Sequence, residues 1–463
     1  TVARVQKNWK GNTLLGGMVT SVNRALDQPY LEDFMVRNAF TAGIDFTQYF
    51  KNRLYYIDVK GMLSSLHGSA GAITALQNSV AHYYQRASSA DYLGVDPTRR
   101  SLTGTGGYVK VGRKGNAKWN FSETFTWSSP GFDLNDMGYM KETDYLMNET
   151  EIMYRQTDIW KIFRYNAFTL SQKNMWNYGG TPFSNNASLR WQSMTMNRYE
   201  WDVKETFAWN WLDSRLLRGG PDVRFGSYFL TSAKFNTDKA KRMMFMLKYE
   251  GDHNFEGNRF NTISPSLTFR LGNHVYLSGQ LDYAWNTDEM QYVATTSPLS
   301  SSSLAPYYYV MGHMDQKTYG LTLKLQVNVT PDISIQFYGA PFTSIAKYDD
   351  FKLAADTKSH TFENRFQRID PDQLTYADGV YTIGEGAGQM PFRNPDFRFN
   401  EFRSNLVARW EYLPGSTLYF VWEHRMSNRD NWYSSGWGSN LDRMWGLPAT
   451  NTFMIKMNYW FNL

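Results

Sequence analysis

Tyr319-Gly320-Leu321-Thr322-Leu323-Lys324-Leu325-Gln326-Val327-Asn328-Val329 decides the fold class. The odd positions are aromatic or aliphatic throughout, and the even positions are polar or small. Successive side chains of a β-strand point to opposite faces, so this segment has one wholly apolar face and one polar face. Its length matches the ~9–11 residues with which a tilted strand crosses a bilayer.

The same period of two recurs outward from it. Trp201, Val203, Phe207, Trp209 and Trp211 share one face, with Glu205 the exception, against Glu200, Asp202, Lys204, Thr206 and Asn210. Leu277, Leu281, Tyr283 and Trp285 alternate with Ser278, Gln280 and Asp282, and Leu406, Ala408, Trp410 and Tyr412 with Asn405, Arg409 and Glu411. Near the end, Phe453, Ile455, Met457, Tyr459 and Phe461 alternate with Lys456, Asn458 and Asn462.

Nine short turns separate many of these segments: Gly11-Asn12, Lys51-Asn52, Lys114-Gly115, Thr157-Asp158, Asn197-Arg198, Thr237-Asp238, Gly272-Asn273, Pro331-Asp332 and Pro414-Gly415. These are turn-forming pairs or close to them. The remaining connections are long and polar, at about 25–35, 65–100, 129–142, 174–184, 213–222, 251–257, 287–304, 346–398 and 428–450. Tight turns on one side and long loops on the other are the mark of an outer-membrane barrel. A soluble β-sandwich or propeller also alternates, but its strands average about 5–6 residues and nothing sorts its connections by length. The fold class is therefore all-β: one large antiparallel transmembrane barrel over residues 1–463, in the outer membrane of a Gram-negative cell. One segment departs from it. Ile73, Leu76, Val80 and Tyr83 fall at helical spacing, which predicts a short loop helix over 72–86 at the barrel mouth.

Composition agrees. Among the 463 residues are 31 Tyr, 30 Phe and 16 Trp, yet the mean hydropathy is −0.53 and no run approaches the ~20 apolar residues of a membrane helix. A net charge of +5 without a Lys/Arg tract leaves no footprint for nucleic acid. Cysteine is absent, which removes disulfides and thiol chemistry. No signal peptide precedes the strands, so the sequence reads as mature or truncated.

Several stretches carry a family resemblance. They include Arg4-Val5-Gln6-Lys7, the run from Gly16 to Arg24, Gln77-Asn78-Ser79 with Tyr84-Gln85-Arg86, and Pro130-Gly131-Phe132-Asp133-Leu134-Asn135-Asp136-Met137-Gly138. Tyr338-Gly339-Ala340-Pro341-Phe342, Asn394-Pro395-Asp396-Phe397 and the run from Arg403 to Ser416 follow, the part Arg409-Trp410-Glu411-Tyr412-Leu413-Pro414-Gly415-Ser416 being the most specific. Together they resemble the barrel region of uncharacterised outer-membrane proteins of Bacteroidota. There a domain like the family-nine carbohydrate-binding modules precedes the barrel; here that domain is missing. The resemblance implies location and architecture, and it supplies no catalytic residues.

Parity places a set of charges toward the lumen: Asp45, Asp58, Lys60, Lys118, Glu200, Asp202, Lys204, Asp282, Lys324, Arg409, Glu411, Glu423, Arg425 and Lys456. Both signs occur, which suits paired ladders and a braced interior better than a pore selective for one sign. Leu321, Leu323, Leu325, Trp209, Phe420 and Ile455 should face lipid, and Lys204, Lys324, Gln326 and Arg409 the lumen. Trp119, Trp127, Trp160, Trp201, Trp211, Trp285, Trp410, Trp422 and Trp460 should form two interfacial girdles.

An enzyme is not expected. Of seven His, only Asp252-His253 and His313 with Asp315 are close acid–His pairs, and both sit near outer strand ends. Asp349-Asp350 and Asp370-Pro371-Asp372 lack the repeating ligand pattern of a calcium loop. No cofactor is implied. Trp432, Tyr433, Trp437 and Trp445 lie among Asn, Ser and Gly in the last loop, where they stack on sugars or pack on neighbouring loops. The expected function is a scaffold or subunit of an outer-membrane assembly, with lipids, surface lipoproteins and external glycans as partners. The alternative is a passive or gated conduit.

The turns also fix direction. If they face the periplasm, the first strand descends into Gly11-Asn12, each turn joins a descending to an ascending strand, and the last strand descends again. That makes nineteen strands whose first and last run the same way. An antiparallel barrel of about 20 or more strands then needs at least one further strand between them, expected upstream of Thr1, because bacterial single-chain barrels normally have an even count.

Overall fold

The computed structural model describes every residue except 87–90, 273, 300–305, 432–436 and 462–463, and the side chains of 387 and 437. Ten strands come first: β1 Val2–Trp9, β2 Thr13–Asn23, β3 Asn38–Phe50, β4 Tyr55–His67, β5 Ser101–Arg113, β6 Trp119–Ser128, β7 Tyr145–Gln156, β8 Phe163–Trp176, β9 Pro182–Thr195 and β10 Glu200–Trp209. Two short strands follow in a loop, β11 Trp211–Asp213 and β12 Val223–Phe225. The wall resumes with β13 Tyr228–Asn236, β14 Met243–Asn254, β15 Arg259–Leu271, β16 Val275–Thr296, β17 Tyr308–Asn328 and β18 Ile333–Ala354. A long loop holds β19 Phe366–Arg368, β20 Leu374–Ala377, β21 Val380–Ile383 and β22 Met390–Arg393, before β23 Phe397–Leu413, β24 Ser416–Asp430 and β25 Thr450–Asn458.

Nineteen of these form one antiparallel meander, and β19 adds a short twentieth member against the end of β18. Each of the nine tight turns read from the sequence joins two neighbouring wall strands. The fold is that of a large transmembrane β-barrel. Strand β1 pairs only with β2 and β25 only with β24; among the described residues these two edges, which run in the same direction, do not pair.

Registers carry one face around the whole wall. Leu323 lies opposite Gly279 and Gly339, Leu325 opposite Phe337, and Phe337 opposite Leu406. Leu406 pairs with Trp422, and Phe420 with Ile455. Leu323, Phe420 and Ile455 are exposed at 40%, 40% and 72%, as an apolar face turned to lipid must be in an isolated chain. Lys324, Gln326, Lys204 and Arg409 lie on the opposite face.

Three features differ from the sequence reading. First, β10 ends at Trp209, because Asn210 adopts φ +53° and breaks the alternation. Trp211 therefore starts a new strand and lines an inner cavity with Tyr228, Asp252 and Phe260 instead of joining the lipid face. Second, helix α1 Pro29–Glu32 and helix α2 Ala70–Gln77 precede the remaining helix α3 Trp437–Trp445, and α2 covers only the front of the segment expected to be helical. Ser69 caps α2 by accepting from the Ala72 N–H at 3.0 Å, and the chain leaves the helix at Asn78. Tyr83 then takes φ +47°. Third, β16 and β18 run 22 residues each, well into the segments 287–304 and 346–398 read as loops, and β17 between them runs 21. The period of two is lost there because bulges between Asp288 and Gln291, Tyr292 and Ala294, and Met311 and His313 each shift the register.

Candidate functional site

The candidate site is the inner wall together with the loops that cover its outer end. Loop 68–100 folds inward: Ile73 of α2 and Tyr84 pack on Ala39, Leu66 and Leu102, which belong to the inner face of β3, β4 and β5. Loop 129–144 presses backbone to backbone on the same wall. A Cβ on Gly104 would lie 2.1 Å from the Phe132 nitrogen, so only glycine admits this approach. The three-stranded sheet β20–β22 covers the inner face of the tall strands. Ile383 and Phe392 pack on Met314, Ala346, Tyr348 and Phe351 there.

Polar contacts tie these loops into one cap. His82 stands with Nε2 3.0 Å from Asp133 Oδ2 and Nδ1 2.9 Å from the Pro130 carbonyl, and the Asp133 N–H donates to Ser64 Oγ on the wall. The buried Asp144 carboxylate accepts from Arg86 Nη2 at 2.7 Å, Tyr92 OH at 2.6 Å and the Tyr178 N–H at 3.0 Å, which joins three loops. Burial pushes the Tyr92 phenol up, and the hydrogen bond to Asp144 adds to it. Arg215 reaches the Lys141 carbonyl and the Glu142 carboxylate. On the far side, Arg365 is 1% exposed and forks onto Glu256 with contacts of 2.8 and 3.0 Å, while also donating to the Arg224 carbonyl. The Thr357 hydroxyl donates to the Asp222 carbonyl, and the Arg224 N–H to the Thr357 carbonyl.

Below the cap the inner wall carries paired charges. Asp45 meets Arg4 at 3.5 Å, and Asp58 accepts from Thr47 and Tyr108. Lys60 lies over the Tyr108 ring. Asp202 holds Arg190 and Gln192, Glu200 holds Lys239, and Asp282 accepts from Ser264 and Gln280. Arg409 pairs with Glu411, Arg425 with Glu401, and Glu423 accepts from Asn405. Lys204 and Lys324 are exposed on the inner face, and Lys456 lies opposite Tyr419. Lys118 sits outside the strands, at the turn rim, paired with Asp158. Sequence reasoning did not single out Arg365, Glu256, Asp144 or His82 as a set. Their partners are 51 to 109 residues away in the chain, and no local pattern announces them.

Of the two acid–His candidates, one comes apart and one stays together. Asp252 and His253 alternate onto opposite faces, and His253 stacks on outward Phe229. His313 Nδ1 lies 3.1 Å from Glu289 Oε1, and its Nε2 lies 3.6 Å from Asp315 Oδ2. Asp350 engages Lys352, and among the described residues no three acidic or His side chains converge as a metal site. Trp445, on α3, lies edge-on to Phe402 of the outward face at 4.8 Å. Trp432 and Tyr433 lie outside the described residues, as does the Trp437 side chain.

Comparison with known proteins adds a family. The domain of unknown function DUF5916 matches residues 64–463. The chain belongs to that family. The DUF5916 match takes in the stretches from Gln77 to Ser416 quoted above, while the runs at Arg4 and Gly16 precede it. No curated protein matches the chain. Among solved structures it is similar to the siderophore receptor PirA from Acinetobacter baumannii, with 9% identity and TM-score 0.40 over 97% of this chain and 74% of that one. It is also similar to a mutant ferric enterobactin receptor, PfeA, from Pseudomonas aeruginosa, with 9% identity and TM-score 0.41 over 96% and 72%.

Proposed function

We propose that this DUF5916 chain is a capped conduit of the outer membrane, in which a polar solute passes along the inner wall once the loop cap moves. The observation that carries this reading is the inner wall below the cap, where inward side chains such as Lys60, Lys204, Lys324, Glu423 and Arg425 are solvent-exposed. The scaffold reading rested on long ordered loops and mixed lumen charge. The loops are accounted for as the cap, and the charges as ladders between neighbouring strands. Most acidic groups of the wall already have partners while Lys60, Lys204 and Lys324 are exposed, which favours a neutral or anionic polar solute over a cation.

Planar-bilayer recording tests this. The intact protein should give small or rare openings, and Arg365→Ala, which frees the cap from Glu256, should raise conductance severalfold. If both proteins insert and fold but neither conducts, the conduit reading fails and the scaffold reading takes its place.

A further inference from the structure

The outward face is apolar around most of the wall. On β14 to β17 it presents Leu247, Leu267, Leu277 and Leu323 with their neighbours, and on β3 to β5 it presents Phe46, Val59 and Val109. Strands β6 to β9 depart from this most, and beside them Glu205 of β10 accepts from Thr231 of β13 on the same outward face. Registers there align Glu123 with Thr150 and Thr150 with Gln172, and one step further out they align Asn148 with Asn174 and Asn174 with Asn185. All six share the face of Phe121, Ile152, Leu170 and Leu189.

These rows lie within the lipid belt. An aromatic row, Trp119, Tyr154, Phe168 and Trp191, runs on their turn side, and Trp127 and Trp176 flank Leu146 on their loop side. Acyl chains offer no hydrogen bond, so polar side chains at this depth mark a contact with protein. Thr150 satisfies one Glu123 oxygen at 2.6 Å.

We propose that this strip is the interface with a second copy of the chain. Two copies inserted the same way are related by an axis along the membrane normal. That axis sets β6 opposite β9 and β7 opposite β8 while keeping each residue at its own height. The central polar side chains, Thr150 and Asn148 of β7 and Gln172 and Asn174 of β8, then face one another across the axis. Each amide both donates and accepts, so the strip is complementary to itself, as a twofold interface requires.

The absence of cysteine makes the test clean. Gln172→Cys and, on an apolar part of the wall, Leu281→Cys are oxidised in native outer membranes. Gln172→Cys should shift to twice the monomer mass, and Leu281→Cys should stay monomeric. A variant with Asn148, Gln172, Asn174 and Asn185 all replaced by Leu should lose the dimer in nanodiscs while keeping the heat-modifiable mobility of a folded barrel. A Gln172→Cys protein that stays monomeric, or that forms an adduct of any other mass, overturns the proposal. So does a folded four-leucine variant that remains a dimer.

Discussion

Arg365 shows how much one buried side chain holds. Its guanidinium fork on Glu256 is sealed from solvent, and the Gly226 N–H donates to the same carboxylate. Removing one partner of such a pair strands the other charge, at a cost of about 3–5 kcal/mol. Arg365→Ala should therefore speed hydrogen exchange and proteolysis in loop 355–396 and leave the wall strands protected. Loss of protection throughout the wall would show that the pair supports the barrel and not the cap. Parity predicts a second contrast. Leu321→Lys puts a cation against lipid at a cost of about 2–4 kcal/mol if the site lies near the midplane, whereas Lys324→Leu on the inner face should be mild. Urea unfolding from vesicles measures both, and equal costs would contradict the assignment of faces. The parity of these residues was legible because each is fixed by its own strand. Arg365 was not, because nothing in 359–372 points to a carboxylate at 256.

Elements repeat that division between local and distant causes. The turn at Lys51-Asn52 was readable through Asn52, a residue type that tolerates the left-handed region, and the loop 51–54 holds Lys51, Asn52 and Arg53 at φ +46°, +55° and +66°. Helix α2 was readable at its start, where Ser69 caps it, but not at its end, where the chain turns through Asn78 to pack Tyr84 on the wall. Ser69→Ala should weaken α2 by about 1 kcal/mol, seen as faster exchange over 70–77 with strands β4 and β5 unchanged. Unchanged exchange would mean that packing of Ile73 alone holds the helix. The outer ends of β16 and β18, 287–296 and 346–354, were read as loops for a physical reason. Above the membrane no lipid selects an apolar outer face, and their apolar residues turn inward to the β20–β22 sheet instead. Trp211 misled for a related reason, since one left-handed residue, Asn210, redirects everything after it.

At the scale of the whole molecule, the barrel was legible and the cap was not, because a meander is a sum of neighbouring hairpins while the cap is built from contacts between distant loops. The rim it sits on is uneven. Strands β16, β17 and β18 exceed the ~10 residues of a membrane crossing by about ten each, which adds ~30 Å along the strand direction on one side only. Loop 355–396 meets that tall side through apolar clusters around Met314 and Met290, and meets the neighbouring loops through polar contacts such as Lys358 with Asp222 and Arg365 with Glu256. Salt screens the exposed Lys358 ion pair and leaves apolar packing intact. The cap is thus a trapdoor with an oily hinge and an ionic latch. Raising ionic strength should lengthen a spin-label distance across 221 and 356, beside the latch, while one across 347 and 378, beside the hinge, stays fixed, and the door should swing from the low rim toward the tall one.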